Sequence, residues 1–109
     1  MEFRKVNSMK QELIEKNISI LEHHGIENQI TIWIEEMSEL TKELCKWQRN
    51  YEEYDGCVPF MLLNNLKLEL TDVQICLDQL KEAISYSPEQ QEMDYEYKIE
   101  RECLRSGIK

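Results

Sequence analysis

The feature that most constrains the fold is an uninterrupted apolar stripe in the second quarter of the chain. Its residues recur at intervals of three and four, the spacing that places side chains on one face of an α-helix. They are Ile30, Trp33, Ile34, Met37, Leu40, Leu44 and Trp47, and a second stripe with the same spacing comprises Leu63, Leu66, Leu70, Val73, Leu77 and Leu80. Long helices bury such faces by packing together, so the two stripes predict an all-α bundle.

Two helices are predicted in the first half of the chain. Ser8 is expected to cap the first helix, with Gln11 reaching back to complete a capping box. Gly25 is expected to follow its last turn, because glycine commonly stands just beyond a helix end. The second helix is predicted over about residues 27–51. The inward face of the first helix is expected to carry Leu13, Ile14, Ile18 and Leu21.

Two more helices are predicted in the second half, after a turn at Tyr54-Asp55-Gly56. Pro59 can open the third helix because its missing N–H costs nothing in a first turn, and this helix is expected to reach about residue 84. Ser87 and Pro88 together form a start signal for the fourth helix, which extends to about residue 105. The candidates for its buried face are Met93, Tyr97, Ile99, Cys103 and Leu104.

Length and composition favour one helical domain over residues 1–109. The chain has only 3 Gly and 2 Pro and is 41% hydrophobic, which argues against disorder and against a turn-rich sheet protein. A domain this short gains from burying apolar helix faces against a second copy, so a partner copy is expected. The net charge of -9 would repel nucleic-acid backbones and anionic membranes, and neither is expected as a partner.

The four cysteines contain no Cys-x-x-Cys pair, and no stretch reaches the length of a membrane span. Without a secretory signal, reduced and mostly buried thiols are expected, although an even number formally allows two disulfides. A cytoplasmic location is therefore the expectation.

Two acidic helical turns carry the candidate chemistry. Glu36 and Glu39 lie three residues apart, as do Glu69 and Asp72, so each pair shares one helix face. Glu43 continues the first acidic stripe. Each stripe is displaced by one residue from an apolar seam, so antiparallel packing is expected to bring the two pairs together along one edge of the seam.

Four clustered carboxylates need either open water or a cation, because like charges at this spacing oppose helix formation. Carboxylate oxygens suit Mg²⁺ or Mn²⁺, and Mg²⁺ commonly contacts substrate phosphates as well. A solvated acidic face is the alternative. A di-iron site would normally add Glu-x-x-His motifs, which this chain does not have.

The segments Glu35-Glu36-Met37-Ser38-Glu39 and Glu69-Leu70-Thr71-Asp72 resemble the EExxE…ExxD signature of the MazG-like all-α nucleoside triphosphate pyrophosphohydrolases. The flanking residues 29–34, 40–44 and 70–75 are similar to the two core helices of that family. The resemblance spans roughly residues 25–105. The linker between the acid pairs is long for the family.

The resemblance implies a four-helix bundle-like, MazG-type fold completed by dimerisation, sometimes as a dimer of dimers. It implies a catalytic site containing Glu35, Glu36, Glu39, Glu69 and Asp72, in which the last four hold Mg²⁺, with Mn²⁺ as an alternative. The role of Glu35 is not specified by its spacing. Metal-activated water would cleave a (deoxy)nucleoside triphosphate to the monophosphate and pyrophosphate, as in house-cleaning or nucleotide-pool control.

Three residues outside the acidic turns are candidates for substrate binding. On the family pattern Lys98 and Arg101, in a basic stripe of the last helix, would contact the phosphates. Trp47 either belongs to the core or stacks on a nucleobase. Two other functions stay open. One is a non-catalytic helical bundle for oligomerisation or partner binding, and the other is a metal-dependent nucleotide sensor with slow turnover.

Overall fold

The computed structural model describes the backbone of residues 2–53 and 55–109 and the side chains of residues 11–53 and 55–109. This part of the chain folds into four helices and contains no strand, which confirms the all-α prediction. The helices are α1 (Glu2–His24), α2 (Ile26–Glu53), α3 (Phe60–Ala83) and α4 (Pro88–Ser106).

The predicted helix ends are mostly confirmed. Gly25 separates α1 from α2 with φ of 82°, a conformation that glycine adopts without a steric penalty. Pro59 stands at the N-cap of α3, and the Ser87 hydroxyl accepts a hydrogen bond of 3.2 Å from the backbone N–H of Gln90 at the start of α4. The predicted start at Ser8 is wrong, because α1 begins at Glu2. No glycine or proline precedes Ser8 to stop the helix, and the Ser8 side chain lies outside the described set.

Helices α2 and α3 pack as an antiparallel pair, and α1 lies against both. The direction follows from the contacts, since Trp33 meets Gln79 whereas the later residue Glu36 meets the earlier residues Glu69 and Asp72. Leu21, Trp33 and Cys76 form the buried centre of the three-helix core.

The buried faces of α2 and α3 are rotated from the predicted seams. Ile34 and Leu70, both assigned to a seam, are 61% and 50% exposed, whereas Glu43 and Gln79 are buried. Leu13, predicted to face inward on α1, is also exposed. The physical reason is that the polar side chains on the α2–α3 face have partners: Gln79 is hydrogen-bonded to neighbouring helices and Glu43 is paired with Lys46, which reduces the cost of burying them.

Helix α4 packs against none of the other three helices in the described chain, and it has no buried residue. The predicted buried face of α4 is therefore wrong for a single chain: Cys103 is half-buried and Met93, Tyr97, Ile99 and Leu104 are exposed. The turn before α4 contains Ser85 with φ of 55°, and the Tyr86 hydroxyl donates a hydrogen bond to Asp94, which ties α4 to the turn rather than to the core.

The four helices give an extended particle. Its radius of gyration is 17.3 Å, whereas a compact domain of this length has a value of about 13 Å. Among the described residues, no helix has both the length and the apolarity required to cross a membrane.

Candidate metal centre

Three carboxylates from two helices converge at one point. Glu36 extends from α2, Glu69 and Asp72 extend from α3, and one oxygen of each lies within 4.8 Å of the others. The three-residue spacing puts the two α3 carboxylates on one face, and the antiparallel packing brings the matching turn of α2 opposite them. Three of the four predicted metal ligands are thus brought together.

Glu69 is the most constrained of the three carboxylates. It is half-buried, and its Oε2 atom is buried without a hydrogen-bond partner among the described residues. Its pKa is raised, first by burial, then by the negative charge of Asp72, and then by the charges of Glu36, Glu39 and Glu43. Carboxylates of both helices therefore act on this one group.

Glu43 is the residue of the site whose burial the sequence reasoning missed. It is buried on α2, its Oε1 atom is 3.0 Å from Lys46 Nζ, and its Oε2 atom is buried without a partner in the described chain. It follows Glu36 by seven residues, which is two helical turns, so the spacing placed it on the same acidic stripe but did not indicate that it is buried.

Two predicted members of the catalytic set lie outside the group of three. Glu39 is exposed and 3.8 Å from Lys42 Nζ, although its charge still raises the pKa of Glu69. Glu35 is exposed and does not converge with the other carboxylates.

The donor set suits a hard divalent cation. All converging donors are carboxylate oxygens, which Mg²⁺ and Mn²⁺ prefer over softer metals. A buried carboxylate oxygen without a partner is costly, and a cation would satisfy the orphaned oxygen of Glu69 while offsetting the mutual repulsion of the group. The residues present therefore fit such an ion.

A buried thiol lies beside the carboxylates. Burial raises the pKa of Cys76, and the negative charges of Glu36 and Asp72 raise it further. This thiol stays protonated and does not belong to the converging ligands. The expectation of mostly buried cysteines is confirmed for Cys76 but not for Cys45 and Cys57, which are exposed.

Trp47 lies farther along α2, half-buried, with its ring 6.5 Å from that of Tyr51 in an edge-to-face arrangement. Its indole Nε1 is buried without a hydrogen-bond partner in the described chain. It lines a groove of about 420 Å³ whose walls come from α2 alone. Because the indole N–H is buried, only the ring of Trp47 can face the groove, and stacking on a nucleobase stays a prediction.

The two basic residues predicted to contact phosphates are not brought to the carboxylates within one chain. Both are on α4, whose backbone approaches neither α2 nor α3 in the described chain; Lys98 lines a surface groove together with Lys81 near the end of α3. The Arg101 guanidinium lies 5.9 Å from the centre of the Tyr97 ring, and its Nε atom is buried without a partner among the described residues. Lys98 is exposed on the same helix as Asp94 and contributes to lowering the pKa of that carboxyl, after the hydrogen bonds from Tyr86 and Gln90.

The site therefore consists of Glu36, Glu69 and Asp72, with Glu39 and Glu43 as neighbouring charges. Its converging donors are hard carboxylate oxygens from two antiparallel helices.

The chain was compared with protein-family models, curated proteins and solved structures. No family model, no curated protein and no solved structure matches it.

Proposed function

We propose that this chain is a MazG-like, Mg²⁺-dependent pyrophosphohydrolase that cleaves (deoxy)nucleoside triphosphates to the monophosphate and pyrophosphate. The observation that carries the proposal is the convergence of Glu36, Glu69 and Asp72 within 4.8 Å. These are the residues at which the sequence resembles that family. A fully solvated acidic face would not bury one oxygen each of Glu43 and Glu69 without a partner.

The carboxylates determine how a nucleotide can bind. A triphosphate is polyanionic, and the chain carries a net charge of -9 with five acids at this site, so free nucleotide is repelled. When bound, Mg²⁺ would neutralise this repulsion, polarise a phosphoryl oxygen and lower the pKa of a bound water. Glu36, Glu69 and Asp72 would hold the ion, and Glu39 and Glu43 would add negative charge around it. The site then selects substrates that carry phosphates.

We also propose that the active form is a homodimer or a larger homo-oligomer. Ile26, Ile30 and Ile34 recur every four residues on α2 and are all more than 40% exposed. The same holds on α4 for Met93, Tyr95, Tyr97, Ile99 and Leu104. A second copy can cover these faces. The second copy can also bring the Lys98 and Arg101 side chains of its α4 to the acidic site of the first. Within one chain, α4 does not reach that site.

Free thiols support the proposed cytoplasmic location. All four cysteines are unpaired, and reduced cysteines are the rule in reducing compartments.

The test is the release of pyrophosphate and orthophosphate from a panel of ribo- and deoxynucleoside triphosphates, with Mg²⁺ and with chelator. Glu36→Gln is the test variant. Glu82→Gln is its matched control, because it removes the same charge from an exposed position on α3. We expect pyrophosphate release that requires Mg²⁺, persists in Glu82→Gln and is lost in Glu36→Gln.

Nucleotide binding and melting temperature, measured with and without Mg²⁺ on the same proteins, separate the alternatives. Mg²⁺-dependent nucleotide binding without pyrophosphate would identify a sensor. If no nucleotide is cleaved or bound, and Mg²⁺ does not raise the melting temperature, the acidic turns are a solvated face and the chain is a non-catalytic bundle.

A further inference from the structure

A buried polar cluster links the three core helices next to the acidic site. Its centre is Gln79 of α3, which is 3% exposed. Gln79 Oε1 accepts hydrogen bonds from Trp33 Nε1 at 2.8 Å and Gln29 Nε2 at 3.0 Å, both on α2. Gln79 Nε2 donates to Asn17 Oδ1 on α1 at 2.8 Å, and Asn17 Nδ2 donates to the backbone carbonyl of Ile75 at 3.0 Å.

The chemistry of the groups fixes the orientation of the Gln79 amide. An indole N–H can only donate, so the amide oxygen must face Trp33. Two donors then occupy both acceptor positions of that oxygen, and the amide nitrogen is left to face Asn17. These pairings require Gln29 and Trp33 of α2 and Asn17 of α1 to face Gln79 at the same time.

That arrangement determines which turn of α2 faces which turn of α3. Trp33 lies one turn before Glu36, and Gln79 lies two turns after Asp72. A slip of one turn moves one helix by about 5.4 Å along the other, which exceeds the 4.8 Å separation of the carboxylate oxygens. The grouping of Glu36 with Glu69 and Asp72 therefore occurs only in the register that the cluster specifies.

Apolar contacts alone specify this register poorly. Leucine and valine side chains recur at every turn of α3, so a slipped pairing still buries apolar surface. A slipped pairing leaves the Trp33 N–H and the Gln29 amide buried without partners, and unpartnered buried polar groups are disfavoured. Single buried polar residues fix helix register in this way in other helical assemblies.

We infer that Gln79 is a positioning residue that fixes the register of α2 against α3 and so assembles the cation site of Glu36, Glu69 and Asp72. The part of the inference that concerns cation binding rests on the proposed function. The part that concerns the helix register does not. It assigns a purpose to a buried glutamine that touches no carboxylate ligand.

Two variants of the cluster provide a matched comparison. Gln79→Met keeps a side chain of similar length and removes all three hydrogen bonds of the amide, two to α2 and one to Asn17 of α1. Asn17→Ala breaks only the link to α1 and leaves both α2 bonds in place. If Gln79→Met does not fold, Trp33→Phe replaces it in the comparison. This variant removes the indole N–H that donates to Gln79 and keeps an aromatic ring.

Two readouts are taken at a temperature at which circular dichroism shows every variant folded. The first is the affinity for Mn²⁺, measured by calorimetry. The second needs no metal: it is the distance distribution between spin labels on Glu27→Cys in α2 and Lys67→Cys in α3, in a background that lacks the native cysteines. Both label positions are exposed.

We expect Gln79→Met to weaken Mn²⁺ binding by at least about tenfold, the range seen when supporting residues of metal sites are removed. The label distances are expected to shift or broaden. Asn17→Ala is expected to lower the melting temperature while leaving Mn²⁺ affinity and label distances as in the wild type.

An unchanged distance distribution in Gln79→Met would overturn the inference, whether or not metal binding changes. Unchanged Mn²⁺ affinity in that variant would overturn it as well. If the wild type itself does not bind Mn²⁺, the proposed function fails, and the label distances still decide whether Gln79 fixes the register.

Discussion

The carboxylate of Glu69 is held in surroundings that disfavour its negative charge, and one of its oxygens is buried without a hydrogen-bond partner among the described residues. Its pKa is raised from an ordinary value of 4.5, first by burial and then by the neighbouring carboxylates. In the metal-free protein, folding therefore favours the protonated form of Glu69. The same surroundings that disfavour the charge in the absence of metal favour a cation when one is present.

This shift predicts the pH dependence of stability. Well below the ordinary pKa, both the folded and the unfolded state hold the proton. As the pH rises, the unfolded chain releases this proton first. The contribution of Glu69 to the free energy of unfolding therefore falls between the ordinary pKa and the raised pKa, and it stays low at higher pH. In chelator, the stability of wild type relative to Glu69→Gln should therefore fall as the pH rises.

Urea unfolding between about pH 4 and pH 8 measures this difference, a range that spans the carboxylate pKa values. Glu82→Gln, an exposed acid on the same helix, should show no such trend relative to wild type. A constant difference between wild type and Glu69→Gln would contradict the assignment of Glu69 to a desolvated site.

At the scale of the elements, the leucines of the predicted α3 seam differ in burial, and the helical periodicity of the sequence does not show which of them are buried. Leu66 is 7% exposed and Leu70 is 50% exposed, although both belong to the predicted seam. Leu66→Ala should cost about 2–5 kcal/mol of unfolding free energy, the range for buried leucines. Leu70→Ala should cost about 1 kcal/mol, because only part of that side chain leaves water.

Chemical denaturation at protein concentrations low enough to favour the single chain tests this pair. Equal losses for the two variants under those conditions would mean that Leu70 is buried within the chain. A Leu70→Ala cost that grows with protein concentration would place Leu70 in the interface between copies.

Sequence reasoning predicted the existence and order of the four helices, because the 3.6-residue period, Gly25 and the Ser87-Pro88 signal are local features. It also predicted the meeting of Glu36 with Glu69 and Asp72, since matched spacing on antiparallel helices requires no side-chain detail. It did not predict the buried Gln79 or Glu43. Whether a polar side chain can be buried depends on partners such as Trp33, which lies 46 positions from Gln79 in the chain.

At the scale of the whole molecule, α4 is a helix without a partner. Its exposed apolar side chains face no other helix of the described chain, and its basic residues Lys98 and Arg101 lie away from the acidic site. Pairing with a second copy would bury the apolar side chains of α4 and would also bring its basic residues to the acidic site of the partner. The proposed dimer thus accounts for both features.

Mixing two inactive variants tests this arrangement. Glu36→Gln damages the acidic site, and Arg101→Ala removes the basic group that we propose acts on the partner's site. Each alone should be inactive. In an equal mixture that exchanges subunits, half the dimers are mixed and each has one intact site, so activity should recover to about one quarter of wild type.

Sedimentation measurements should show dimers or larger species in every sample. Recovery in the mixture can come only from sites shared between chains. No recovery despite verified exchange would show that Arg101 does not act across the interface.

The positions of the two tryptophans also have an optical consequence. Trp33 is buried and its N–H is bound to Gln79, so its emission lies at shorter wavelength and is shielded from dissolved quenchers. Trp47 is half-buried in a surface groove, so its emission responds to water and to any ring that enters. The fluorescence of the unlabelled protein thus reports separately on the integrity of its interior and on the occupancy of its surface.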